Sequence, residues 1–135
     1  MYQRNRIRKD ILYPELSYKI VGILFEVHNK LGYGYQEKYY VKAIAKYFDI
    51  HSIRFKRQAP YQIRMCGDII GRYYLDFLIE NKVVLEIKKG NYFPKQNIDQ
   101  VNAYLKVTNL QLGILANFTS TGIKFMRLVN IASKD

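Results

Sequence analysis

A chain of 135 residues, 49% hydrophobic, is long and apolar enough to bury a core without a structural metal, which excludes a disordered segment. Its 22 Lys and Arg against 11 Asp and Glu leave a net charge of +11, so the surface attracts polyanions, with nucleic acid first among them. The single cysteine, Cys66, excludes an intrachain disulfide and a Cys-based metal site, and suits a small core residue in a reducing cytoplasm.

Residues 1–13 read as a basic N-terminal arm whose Arg4, Arg6 and Arg8 are placed to touch phosphates, ahead of one domain over 14–135. Asp10, Pro14 and Glu15 follow the basic residues where a signal peptide would need an apolar run. No stretch approaches the roughly 18 apolar residues of a membrane span. Leu16, Ile20, Ile23, Leu24, Val27 and Leu31 recur at helical spacing and predict a helix over 14–31, with Pro14 in its first turn. Gly32, Tyr33 and Gly34 break it. A second helix is expected over 36–48, with Tyr40, Ala43, Ile44, Tyr47 and Phe48 buried.

The pattern then changes. Runs over 53–65, 68–80 and 82–88 are rich in β-branched and aromatic residues, with turns at Cys66-Gly67-Asp68 and Glu80-Asn81-Lys82. They predict an antiparallel meander whose third strand, through Val83, Val84 and Leu85, is covered on both faces. A third helix over 95–107 should turn Ile98, Val101, Tyr104 and Leu105 inward, and two strands follow over 111–117 and 122–129. The fold class is α/β with a mixed sheet.

Chemistry concentrates on the second and third strands. Glu86 and Lys88 stand two apart on a strand and so share a face. Counting outward from Asn81, five residues each way, sets Asp76 opposite Glu86. Two facing carboxylates repel unless a cation lies between them. Mg²⁺ or Mn²⁺ would resolve the conflict, because hard divalent cations take oxygen ligands. Lys88 would then orient a water or stabilise charge at a phosphate. Glu37 is favoured early in a helix by the macrodipole alone, and it is also a candidate third ligand reaching in from that helix. Gln100 and Tyr104, four apart on the third helix, share a face from which to contact substrate or order the site. His28 and His51 lack ligand-spaced partners and suit structural roles.

Taken together, Gly34-Tyr35-Gln36-Glu37-Lys38-Tyr39-Tyr40, the acidic pair in Tyr74-Leu75-Asp76-Phe77 and Leu85-Glu86-Ile87-Lys88, and Gln100-Val101-Asn102-Ala103-Tyr104 resemble the GxxExxY family of the PD-(D/E)XK nuclease superfamily. The late strand around Leu112-Gly113-Ile114-Leu115-Ala116-Asn117-Phe118 is similar too, while Tyr33 stands where that family has proline. The resemblance implies a restriction-endonuclease-like αβββαβ core, its central mixed sheet flanked by helices. It also implies a divalent metal held by Asp76 and Glu86, with the Ile87 carbonyl and Glu37 as further ligands. The expected function is therefore metal-dependent hydrolysis of phosphodiester bonds in DNA. The other readings are a module of the same fold that binds nucleic acid or a partner without cutting, and a resolvase-like homodimer acting on branched DNA.

Overall fold

The computed structural model describes residues 12–131. Arg4, Arg6 and Arg8 of the expected basic arm lie outside them, while Leu12 and Tyr13, at the end of that arm, pack against the core. Helix α1 (Pro14–Leu31) starts on a proline, which lacks only an N–H that a first turn cannot use. It buries Ile20, Ile23, Leu24 and Val27, as the spacing predicts, and leaves Leu16 and Leu31 partly covered. Gly32 ends it at φ 79°, with its N–H donating to the His28 carbonyl. Helix α2 (Glu37–Ile50) lies on the same core through Tyr40, Val41, Ile44 and Phe48.

Strands β1 (Phe55–Met65), β2 (Asp68–Ile79) and β3 (Val83–Lys89) form the expected antiparallel meander. Helix α3 (Lys95–Thr108) then carries the chain to β4 (Leu112–Thr119), parallel to β3, and β5 (Gly122–Val129) returns antiparallel. The five strands lie in the sheet in chain order. One sheet face packs on α1 and α2 through Phe77, Ile79, Val83, Leu85 and Ile87. The other packs on α3 through Leu75, Val84 and Leu115. Both β3 from Val83 to Ile87 and all of β4 are buried, which is why their sequences are apolar without alternation. Gly113 is what lets α3 settle so close, since a Cβ there would lie 2.6 Å from Val101 Cγ1 and 3.1 Å from Val84 Cγ1.

The β1–β2 turn consists of Cys66 and Gly67, both at positive φ (50° and 84°), the handedness that matches strand twist in a two-residue hairpin. Cys66 is thus exposed at a hairpin tip and is not the core residue its solitude suggested. Turn geometry outranks the preference of a thiol for the interior. In the second turn Glu80 and Asn81 take φ 53° and 57°, and the Glu80 carboxylate accepts from the Arg54 backbone N–H and guanidinium at 3.0 Å each.

Midway along the hairpin the strands change phase. Alternate residues of a strand should share a face, yet Leu75 packs on the α3 side while Phe77 and Ile79 pack on the α1–α2 side. β1 does the same, with Phe55 on the α1–α2 side and Ala59 and Tyr61 on the other. Ladder pairs Arg57↔Phe77 and Ala59↔Leu75 flank the change, and neither Gln58, at φ 55°, nor Asp76 has a ladder partner between them. Asp76 is thereby released to the next strand. Among the described residues no helix is long and apolar enough to cross a membrane.

Candidate active site

Asp76 and Glu86 meet where β2 and β3 part. The β2–β3 ladder runs Ile79↔Val83, Leu78↔Val84, Phe77↔Leu85, and one further step sets Asp76 against Glu86, the pairing that counting from Asn81 predicts. Backbone pairing stops there and side chains replace it. The Asp76 N–H donates to Glu86 Oε1 at 3.0 Å, and the Ile87 N–H donates to Asp76 Oδ2 at 2.8 Å. Buried amides that have lost a strand partner are in this way satisfied by carboxylates.

The pair carries an electrostatic conflict. Glu86 is only 5% exposed, and burial, reinforced by the Asp76 charge, pushes its carboxyl up to about 8. Burial also raises Asp76, against the opposing effect of the Ile87 amide. Lys88 answers part of this charge, its Nζ lying 3.4 Å from Glu86 Oε2 and 3.9 Å from Glu37 Oε2. Burial alone would depress the Lys88 ammonium, but the Glu86 and Glu37 carboxylates outweigh it and raise its pKa. Glu37 opens α2, where a capping role was open to it. Its carboxylate instead lies at Lys88, and burial raises its pKa despite that lysine.

On the α3 side the Tyr73 hydroxyl donates to Gln100 Oε1. Burial, then the Glu86 charge, raises the Tyr73 phenol, which ties this tyrosine electrostatically to the acidic pair. Tyr104 is 3% exposed and packs edge-on against Tyr61, whose ring in turn contacts Tyr73 at 5.8 Å between centroids. Tyr73 is the residue that reading the sequence missed. Its odd spacing from Asp76 places it on the opposite face of a regular strand, and only the change of phase brings it round.

The histidines keep to packing. His28 Nε2 lies 2.7 Å from the Thr119 carbonyl oxygen, and its ring stacks on Phe118. His51 lies 3.5 Å from Glu26. Among the described residues no group of three or more His, Cys, Asp or Glu side chains converges as a cation site. The donors at hand are two carboxylates, Asp76 and Glu86, with the Ile87 main chain between them and Glu37 held apart at Lys88. That chemistry fits a hard divalent ion whose coordination is completed by carbonyl and water oxygens, because Lys88 alone answers only part of the charge the pair would carry with both carboxyls ionised.

A five-stranded mixed sheet between three helices, split to face two carboxylates beside a lysine, is a restriction-endonuclease-like α/β fold. The description of the PD-(D/E)XK nuclease superfamily matches residues 14–128, and the chain belongs to that superfamily. Proteins of this superfamily are usually nucleases, and these generally use divalent metals. No curated protein matches the chain. A solved structure titled "Crystal structure of SSO0001" is similar in fold, with a TM-score of 0.55 at 17% identity. The match covers 69% of this chain and 49% of that one, so the present chain spans about half the length of the structure it resembles.

Proposed function

We propose that the chain hydrolyses phosphodiester bonds in DNA with a divalent cation, Mg²⁺ or Mn²⁺, and that within the superfamily it is a GxxExxY protein. The observation that carries this reading is the pairing of half-buried Asp76 with buried Glu86, each carboxyl raised by burial, with Lys88 beside Glu86. Asp76, Glu86 and the Ile87 carbonyl would hold the ion, with Glu37 assisting directly or through water. Such an ion supplies Lewis-acid polarisation of a phosphate and a lowered pKa for bound water.

The protein's own groups do the rest. Lys88 donates to the attacking water or to the charge that develops on the scissile phosphate. Glu37 and Glu86 hold the Lys88 ammonium in place from two sides. Gln100, fixed by Tyr73, presents its amide to the substrate, while Tyr104 supports the tilted Tyr61–Tyr73 ring contact. Arg4, Arg6 and Arg8 add phosphate contacts, which position a nucleic acid without reading its bases. Membership of the GxxExxY family is supported by Gly34, Glu37 and Tyr40, for Glu37 faces Lys88 and the Tyr40 hydroxyl donates to the Gly32 carbonyl at 2.8 Å, closing the loop before α2.

Calorimetric titration of Mg²⁺ and Mn²⁺ into wild type and Glu86→Ala, followed by DNA cleavage assays, tests the proposal. Ion binding lost in the variant, together with ion-dependent cutting by wild type alone, is the expected result. Cutting that survives both Asp76→Ala and Glu86→Ala in pure protein would remove it.

A further inference from the structure

Beside the acidic pair, the loop after α1 and the first turns of α2 present tyrosine rings to solvent. Tyr33, Tyr35 and Tyr39 are 43%, 48% and 44% exposed, although their size would favour burial. Each ring is tied to its surroundings. Lys89 Nζ lies 5.0 Å from the Tyr33 centroid, and Lys38 and Lys42 lie 5.3 and 5.9 Å from that of Tyr39. Tyr35 meets Tyr40 edge-on at 6.3 Å, and its N–H donates to the Tyr40 hydroxyl at 3.3 Å, which fixes the backbone beneath it. Tyr35, Tyr39, Lys42 and Lys46 line one shallow groove of about 540 Å³.

We propose that this groove, together with the Tyr33–Lys89 contact, is a stacking platform for an unpaired DNA strand that leads into the active site. The inference rests on the nuclease reading for its choice of polymer and adds that the strand is single. Two features select that occupant. Flat rings held on the loop and the first turn of α2 offer stacking surfaces to bases, and a duplex keeps its base faces stacked internally. The ammonium groups of Lys38, Lys42, Lys46 and Lys89 supply the charge complementarity that a phosphate backbone needs, whereas an apolar protein partner would have to desolvate them. Continuity with the site is direct. Lys89 follows Lys88 on β3, and Glu37 stands between Tyr35 and Tyr39 in the chain while its carboxylate lies 3.9 Å from Lys88.

Fluorescence anisotropy in chelator, with a labelled oligothymidylate strand, a duplex of the same length and an oligouridylate strand, provides the test. The DNA strand should bind more tightly than the duplex. Tyr35→Ala and Tyr39→Ala should each weaken strand binding roughly tenfold, within the range for loss of one stacked base, and leave duplex binding unchanged. Tyr39→Phe keeps the ring and should keep the affinity. Melting temperatures matching wild type establish that the variants fold. Duplex bound as tightly as strand, strand binding indifferent to the alanine variants, or RNA preferred over DNA would each overturn the platform. Tyrosine-dependent strand binding by a protein that never cuts would sink the nuclease reading alone. Ion-dependent cutting with tyrosine-independent binding would do the reverse.

Discussion

The Glu86 carboxylate is held by the backbone of Asp76, and the Asp76 carboxylate by the backbone one residue past Glu86. Each amide favours an ionised partner, yet burial and the proximity of the second charge prevail at Glu86, whose carboxyl stands at about 8. The folded chain therefore holds this proton more tightly than the unfolded chain, whose glutamates titrate near 4.5. Its contribution to stability is fully present below that pH and is lost as pH rises through about 8. Asp76, raised in the same direction, adds to the trend. Melting curves in chelator should fall across this window by an amount on the order of a few kcal/mol. Glu86→Gln should flatten them, and an unchanged slope in the variant would reject the assignment.

Lys88 stands between Glu86 and Glu37, and its removal leaves both carboxylates without their shared cation. Lys88→Met should lower the single-turnover rate of DNA cleavage by about 10²–10³, the usual loss for one preorganised donor. Circular dichroism should stay that of the wild type. A variant that cuts normally would relieve Lys88 of any part in the chemistry.

In the proposed reaction Tyr73 acts through Gln100, to which its hydroxyl donates. Tyr73→Phe removes the hydroxyl and leaves Gln100 free to turn, so cleavage should slow by roughly tenfold, the worth of about one hydrogen bond. Gln100→Ala should cost a similar factor, and the double variant no more than either alone. Fully additive losses would mean that the two residues serve separate ends.

At Gly113 a methyl group would enter Val101 and Val84, at 2.6 and 3.1 Å from their Cγ1 atoms. Gly113→Ala should destabilise the fold by about 1–3 kcal/mol, as overpacking of a tight interior does. Adding Val101→Ala should recover part of that loss in urea denaturation. Equal stability of Gly113→Ala and wild type would show that α3 shifts outward at no cost.

What was legible in the sequence followed from burial imposing its period on the chain. The stripes of α1, α2 and α3 and the apolar runs of β3 and β4 mark elements close to where they form, and the mixed α/β sheet follows from their order. The meeting of Asp76 and Glu86 could be counted because the Asn81 turn is symmetrical about that residue. The change of phase at Gln58 and Asp76 could not, because Tyr73, Leu75, Phe77 and Ile79 alternate as though they shared one face. Tyr73 was hidden for that reason. Glu37 could be read from the sequence as a first-turn acid or as a third ligand, but its contact with Lys88 comes from the approach of α2 to β3, which no local pattern encodes. Cys66 misled because rarity describes a residue's chemistry and says nothing of a turn that needs positive φ.

Strand order that follows chain order bears on how the molecule assembles. Neighbouring antiparallel strands can zip from a tight turn, so three of the four strand pairings form by closing only short loops. The pairing of β3 with β4 must instead wait for α3 to bridge them, which makes that junction the natural bottleneck of folding. Asp76 and Glu86 are ten residues apart on the early hairpin. Their mutual repulsion is thus met before the sheet is complete, and acid, by neutralising it, should speed the formation of that hairpin.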